Sequence, residues 1–173
     1  MRIARFTVSV ALWLAALPAN AHLLWQGSEL GMTPVQIQQL FPGAQPPGIQ
    51  GSLYGGAKEL LAVPDVEIAG NTFVASFFFK DNGLTQVMLK LTGEETTDGM
   101  ERAYVSLYGA FRAKYCDEEL TTMNTAFMRT MTTEWLPEGR RVILRYFECR
   151  DCISDLSIVY QVRLPSREEL NNH

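Results

Sequence analysis

An α+β fold is predicted: two helix-plus-antiparallel-sheet units, a possible tandem repeat, with the helices packed on one side of the sheet. Three observations predict it. Apolar residues recur at helical spacing in two separate stretches, strict apolar–polar alternation marks several others, and helix-then-strands occurs twice along the chain. The halves, about 22–93 and 94–165, share order more than sequence. Together they make one α+β domain over 22–173, after a leader at 1–21.

The leader reads as a cleavable export signal. Arg2 and Arg5 precede an apolar run from Phe6 to Leu17, Pro18 breaks the run, and Ala19-Asn20-Ala21 is the small-x-small pattern cut by signal peptidase, so the mature chain is expected to begin at His22. As a helix that run spans about 18 Å, against roughly 30 Å of bilayer hydrocarbon, so no transmembrane anchor is expected in the mature chain. A periplasmic or secreted location follows. No cysteine follows the cut, which argues against a lipoprotein.

The first helix opens at Gly31-Met32-Thr33-Pro34-Val35-Gln36. Thr33 suits the N-cap, Pro34 the first helical position, and Gln36 completes a capping box; Pro42-Gly43 stops the helix. Gly43 to Gly56 is rich in Gly and Pro and reads as a connection, with a functional lip as the alternative. Leu60–Val63 and Val66–Ile68 flank Pro64-Asp65 as one interrupted or edge strand. Asn71–Phe79 and Leu84–Leu91 are strands about Asp81-Asn82-Gly83, where Asn82-Gly83 predicts a tight turn with positive φ at both residues.

Asp98 with Glu101 marks the start of the second helix. Tyr104, Leu107, Tyr108, Phe111 and Tyr115 form its apolar face, and Gly109 suggests close approach to a sheet. The aromatic stripe reads as a core face, with a ligand groove as the alternative. Phe127–Trp135, Arg141–Glu148 and Leu156–Arg163 are the later strands. Val142, Leu144, Tyr146, Ile158 and Tyr160 are expected to face the layer that receives the second helix.

Net charge is −4, and loss of Arg2 and Arg5 makes the mature chain more acidic, which disfavours nucleic acid and anionic lipid. Arg140, Arg141 and Arg145 come closest to a basic cluster and read as a solvated strand edge. The only histidines are His22 and His173, at the ends of the mature chain, so no Ser-His-acid or Cys-His arrangement is legible and no catalytic residue is assigned. Gly27-Ser28-Glu29-Leu30-Gly31 lacks the spacing of a nucleophile elbow. Glu94, Glu95, Asp117, Glu118, Glu119, Glu148, Asp151 and Asp155 offer many carboxylate pairs and single out none. No cofactor or metal is expected.

Cys116, Cys149 and Cys152 are the candidate disulfide residues. Cys149-Arg150-Asp151-Cys152 has redox spacing, but it lies between strands among acidic neighbours that oppose a thiolate. In an exported chain the expectation is one structural disulfide, Cys116 with Cys149 or Cys152. A Cys149–Cys152 bridge is the competitor and suits thiol exchange better.

The run Leu30 to Ile37, with the hairpin Phe77-Phe78-Phe79-Lys80-Asp81-Asn82-Gly83-Leu84 and its return strand through Val87, resembles the SmpA/OmlA-type envelope proteins. That group shares a helix-plus-antiparallel-sheet unit with the β-lactamase inhibitor proteins, where the unit occurs twice. The resemblance implies a non-enzymatic part that binds another envelope or secreted protein. A thiol-disulfide protein using Cys149 and Cys152, or a small-ligand carrier, is the alternative.

Overall fold

The fold begins with a capped turn. In a computed structural model describing residues 23–94, 96–137 and 139–163, Ser28 is buried; it donates to the Trp25 carbonyl at 2.6 Å and accepts from the Trp25 N–H. This pins Leu24 and Trp25 into the core. The leader, the expected cleavage site and both histidines lie outside the described residues.

Helix α1 (Pro34–Leu40) starts as its sequence dictates. The Thr33 side chain accepts from the Gln36 N–H, the Gln36 side chain accepts from the Thr33 N–H at 2.8 Å, and Pro34 spends its missing donor where none is needed. Strands β1 (Lys58–Ile68), β2 (Asn71–Lys80) and β3 (Gly83–Leu91) follow as an antiparallel meander. Helix α2 (Thr97–Tyr115) then leads to β4 (Glu118–Asn124), β5 (Met128–Trp135), β6 (Arg140–Cys149) and β7 (Asp155–Val162).

These strands make one seven-stranded sheet in the order β1-β2-β3-β7-β6-β5-β4, every neighbour antiparallel. The expectation of two helix-plus-sheet units is therefore corrected. β3 pairs with β7, from Gln86 opposite Gln161 to Lys90 opposite Ser157, and the two meanders share a single ladder. Alternation shows which side chains are buried on each strand, but it carries no information about which strand lies beside which. Separate units would leave the inner edges of both β3 and β7 with unpaired backbone groups, and joining them removes both.

One face of the sheet is the core. Leu61, Phe77, Val87, Tyr160, Val142 and Trp135 form a cross-strand row, with Ala75, Leu89, Ile158, Leu144 and Thr133 in the next. Ile37 of α1 and Met100, Tyr104, Leu107 and Phe111 of α2 close over this face. Phe111 meets Trp135 edge-on at 5.5 Å, and Tyr104 meets Tyr146 at 6.1 Å. The Tyr104 hydroxyl and buried Thr133 share a hydrogen bond of 2.6 Å, which satisfies both polar groups in the core. The aromatic stripe of α2 is thus consumed by packing.

Several local expectations shift. Helix α2 is capped by Thr96, whose hydroxyl accepts from the Gly99 N–H; the Glu94 carboxylate in turn accepts from the Thr96 hydroxyl, which holds Glu94 below the usual carboxylate range. The start at Asp98 therefore moves toward the N-terminus. Gly109 is solvent-exposed, and nothing lies within 4 Å of where its Cβ would be, so close approach to the sheet does not explain it. Strand β6 is interior, so Arg140, Arg141 and Arg145 do not form an edge; Arg140 instead lies over the Tyr115 ring at 5.8 Å. Strand β4 had no alternation to reveal it, because all of it except half-buried Glu118 is exposed.

The β2–β3 turn is displaced by one residue. Asp81 and Asn82 carry the positive φ values, 51° and 65°, and Lys80 pairs with Gly83 across the turn. Gly83 serves close approach instead: a Cβ there would sit 3.2 Å from the Gly31 Cα, where the Gly31 N–H donates to Leu84 O and the Leu84 N–H donates to Met32 O. This docks the N-terminal segment onto the hairpin.

Three substitutions test these assignments in urea unfolding. Gly109→Ala adds a helix-favouring side chain in open space and should stabilise the protein by about 1 kcal/mol. Gly83→Ala should destabilise it by about 1–3 kcal/mol through the Gly31 contact, whereas Asn82→Gly should change stability by less than about 0.5 kcal/mol. Equal losses at the last two positions would overturn the close-approach reading.

Candidate functional site

Because both helices cover one face of the sheet, the alternate residues of every strand face outward on the other. At the β2–β3 turn end this uncovered face holds a groove of about 650 Å³, within the range of small-molecule and peptide pockets. Its floor is a cross-strand row in which Gln86 lies opposite Gln161 and Gln161 opposite Arg141. Lys80 of β2 and Arg163 just beyond β7 bring positive charge to it.

The walls come from connections. The loop after α1 turns back along β1: Gln45 exchanges two backbone hydrogen bonds with Ala62, and the Glu59 N–H donates to Gly51 O. From there the loop passes against Phe78 on the uncovered face and presents Leu53, Tyr54 and Ala57 to the groove. Tyr54 is fully exposed. The segment read from sequence as a plain connection is a lip of the groove. Leu136, after β5, stands at the other side.

Arg141 is held in place by Glu134, its Nε and Nη2 each donating to one carboxylate oxygen. The pair neutralises itself and leaves two amides and an ammonium group around an apolar-rimmed hollow. Such a set can accept carboxylates and backbone carbonyls and can pack an apolar side chain. Sequence reading singled out Arg141 alone of these residues. Gln86, Gln161 and Lys80 occupy the polar alternation of ordinary strands, and only the sheet order brings them together.

The cysteines fall differently from expectation. Cys149 is bonded to Cys152, with Cα atoms 5.3 Å apart, and Cys116 is free and exposed, so the expected bridge from Cys116 is corrected. Cys116 caps α2 beside the Glu118–Trp135–Val142 end of the sheet, whereas Cys149 pairs with Met128 at the opposite end. Seven residues of strand separate the two ends, about 23 Å, while a disulfide needs Cα atoms within about 7 Å. The observed bridge instead staples the β6–β7 turn, where the Cys149 N–H also donates to Ser154 Oγ.

Of the candidate carboxylates, Glu95 lies outside the described residues, and Glu118, Glu148 and Asp155 fall in separate structural pairs. Glu118 accepts from the Tyr108 hydroxyl at 2.7 Å and meets Arg112 at 3.2 Å, Asp155 meets Lys90 at 3.1 Å, and Glu101 meets Arg129 at 3.1 Å. Glu148 accepts from the Tyr146 hydroxyl; burial first, and then this carboxylate, push Tyr146 up to about 12. Among the described residues no three His, Cys, Asp or Glu side chains gather as metal ligands, and no helix is long and apolar enough to cross a membrane.

Comparison with protein families, with curated proteins and with solved structures finds no match to this chain.

Peptide mapping of the non-reduced, alkylated protein should recover Cys149 linked to Cys152 and Cys116 carrying the alkyl label. A Cys116-containing bridge would contradict the placement of the two sheet ends.

Proposed function

We propose that this is an exported, periplasmic protein that catalyses no reaction and acts by binding another envelope or secreted protein. The observation that carries the reading is the groove on the uncovered face. Five strands supply its floor and charged groups, and a loop tied to β1 by backbone hydrogen bonds supplies an exposed tyrosine at its rim. A rigid floor with an aromatic rim is the kind of surface on which a partner's side chain is anchored. The signal-like leader and the resemblance of the Gly31-Met32-Thr33 region to SmpA/OmlA-type envelope proteins point the same way.

A second reading is favoured by one observation. The Cys149–Cys152 bridge spans a Cys-x-x-Cys motif, the pairing a thiol-disulfide protein would use. Its setting opposes that chemistry, because Glu148 and Asp151 disfavour a thiolate and the motif joins two strands instead of opening a helix. A reduction potential below about −300 mV would mark a structural staple, and one near −200 mV an exchanger.

The binding reading is tested by placing a photo-crosslinking residue at Tyr54 or Gln86, with Arg102 on the exposed side of α2 as the control position. Crosslinks in the native envelope should form from the groove positions and not from the control. Gln161→Trp, which fills the floor, should weaken capture by about tenfold, and the captured chain should begin at His22. Equal capture from Arg102, or indifference to Gln161→Trp, would overturn the groove as the binding surface.

A further inference from the structure

The sheet has two outer edges, and they are treated differently. The β1 edge is guarded. Its register shifts between Glu59 and Leu61 and again between Val63 and Val66, Pro64 offers no donor, Asp65 turns the chain at φ 56°, and Gln45 and Gly51 occupy its backbone groups. The β4 edge has none of these. It pairs with β5 in seven unbroken steps, contains no Pro, Lys or Arg, and among the described residues no segment bonds its outer side. Leu120 and Met123 on it are more than half exposed, as is Phe127 in the turn that follows. A bare, flat edge with exposed apolar side chains is a template for another strand.

From this contrast we propose that β4 pairs with β4 of a second copy of this chain, antiparallel about a two-fold axis at Thr121, giving a continuous fourteen-stranded sheet. The backbone sets the phase. The Thr125 N–H donates to Met128 O, so the odd residues of β4 bond to β5, and Glu118, Leu120, Thr122 and Asn124 direct their N–H and C=O outward. An antiparallel copy centred on Thr121 sets Leu120 opposite Thr122 and Glu118 opposite Asn124, outward-facing residue against outward-facing residue along the whole strand. Charge selects the same arrangement. Parallel in-register pairing would stack Glu118 and Glu119 on their own copies, whereas this one sets Glu119 opposite Met123 and leaves no like charges directly opposed. The strand is therefore complementary to itself in sequence, length and hydrogen-bond phase, which a foreign peptide would have to match separately.

Sedimentation of the purified chain over a wide concentration range tests the proposal, with a mass approaching twice that of the monomer expected at the upper end. Thr122→Pro removes an outward N–H without touching the β5 ladder; it should give a folded monomer with unchanged circular dichroism, and its melting curve should match the wild type at concentrations where the wild type is itself monomeric. Leu120→Lys should do the same by placing charge on the edge. In a Cys116→Ser background, Thr121→Cys should form an intermolecular disulfide on oxidation, because residues facing each other in a non-hydrogen-bonded pair have Cα atoms about 4.5 Å apart. Met123→Cys, displaced from the axis, should not. A wild-type chain that stays monomeric at every concentration, a folded Thr122→Pro chain that still dimerises, or crosslinking from Met123→Cys equal to that from Thr121→Cys would each overturn it.

Discussion

The pairing of β3 with β7 is the constraint on which the rest of the structure depends. It brings together strands some seventy residues apart in sequence, and each doubling of such a loop costs only about 0.6 kcal/mol more closure entropy. In return it sets Val87 against Tyr160 and Leu89 against Ile158, all buried, at the centre of the ladder. The hairpins on either side are local and closed by short turns. Among the described residues the central pair is the one sheet contact that joins the two halves of the chain. Because of it, α1 and α2 serve a single core.

The same pairing decides where chemistry can be displayed. Helix α2 packs on β6 and β7 and the N-terminal segment on the β2–β3 turn, so the layer above the sheet is complete on one face. Along β6, Arg140 covers Tyr115, Arg141 lines the groove, Val142 enters the core and Ile143 returns to the open face. Core and surface duties thus alternate along one strand. A substitution at Arg141 changes the lining of the groove with little effect on packing, while one at Val142 does the reverse.

Much of this was legible residue by residue. The capping box at Thr33, the bulged strand about Pro64 and the inward faces of β6 and β7 follow from local rules that the sequence states directly. What was illegible depends on neighbours. The Asp81-Asn82 turn displaced the expected Asn82-Gly83 turn because Gly83 is needed for its approach to Gly31, a contact between segments some fifty residues apart. Strand β4 escaped notice because both its faces meet solvent, so nothing selected alternating residues. The bridge from Cys116 failed because spacing along a chain says nothing about which end of a sheet a helix reaches. The groove was hidden for the same reason: Gln86, Gln161 and Lys80 acquire meaning only when β3 lies beside β7.

The uncovered face also explains itself without a second layer. Ile143, Val159 and Ser157 lie at its centre and are at most 4 % exposed, although among the described residues no helix packs over them. Register places Met88 beside Val159, Glu134 beside Ile143, and Lys90 and Arg145 on either side of Ser157, while Arg141 and Gln161 are their neighbours along β6 and β7. Long side chains whose stems lie along apolar surface while their heads stay in water can shield such a centre. The apolar patch is thereby closed to non-specific association. The hollow beside it, where the amides of Gln86 and Gln161 replace those aliphatic stems, is an accessible concavity of that face.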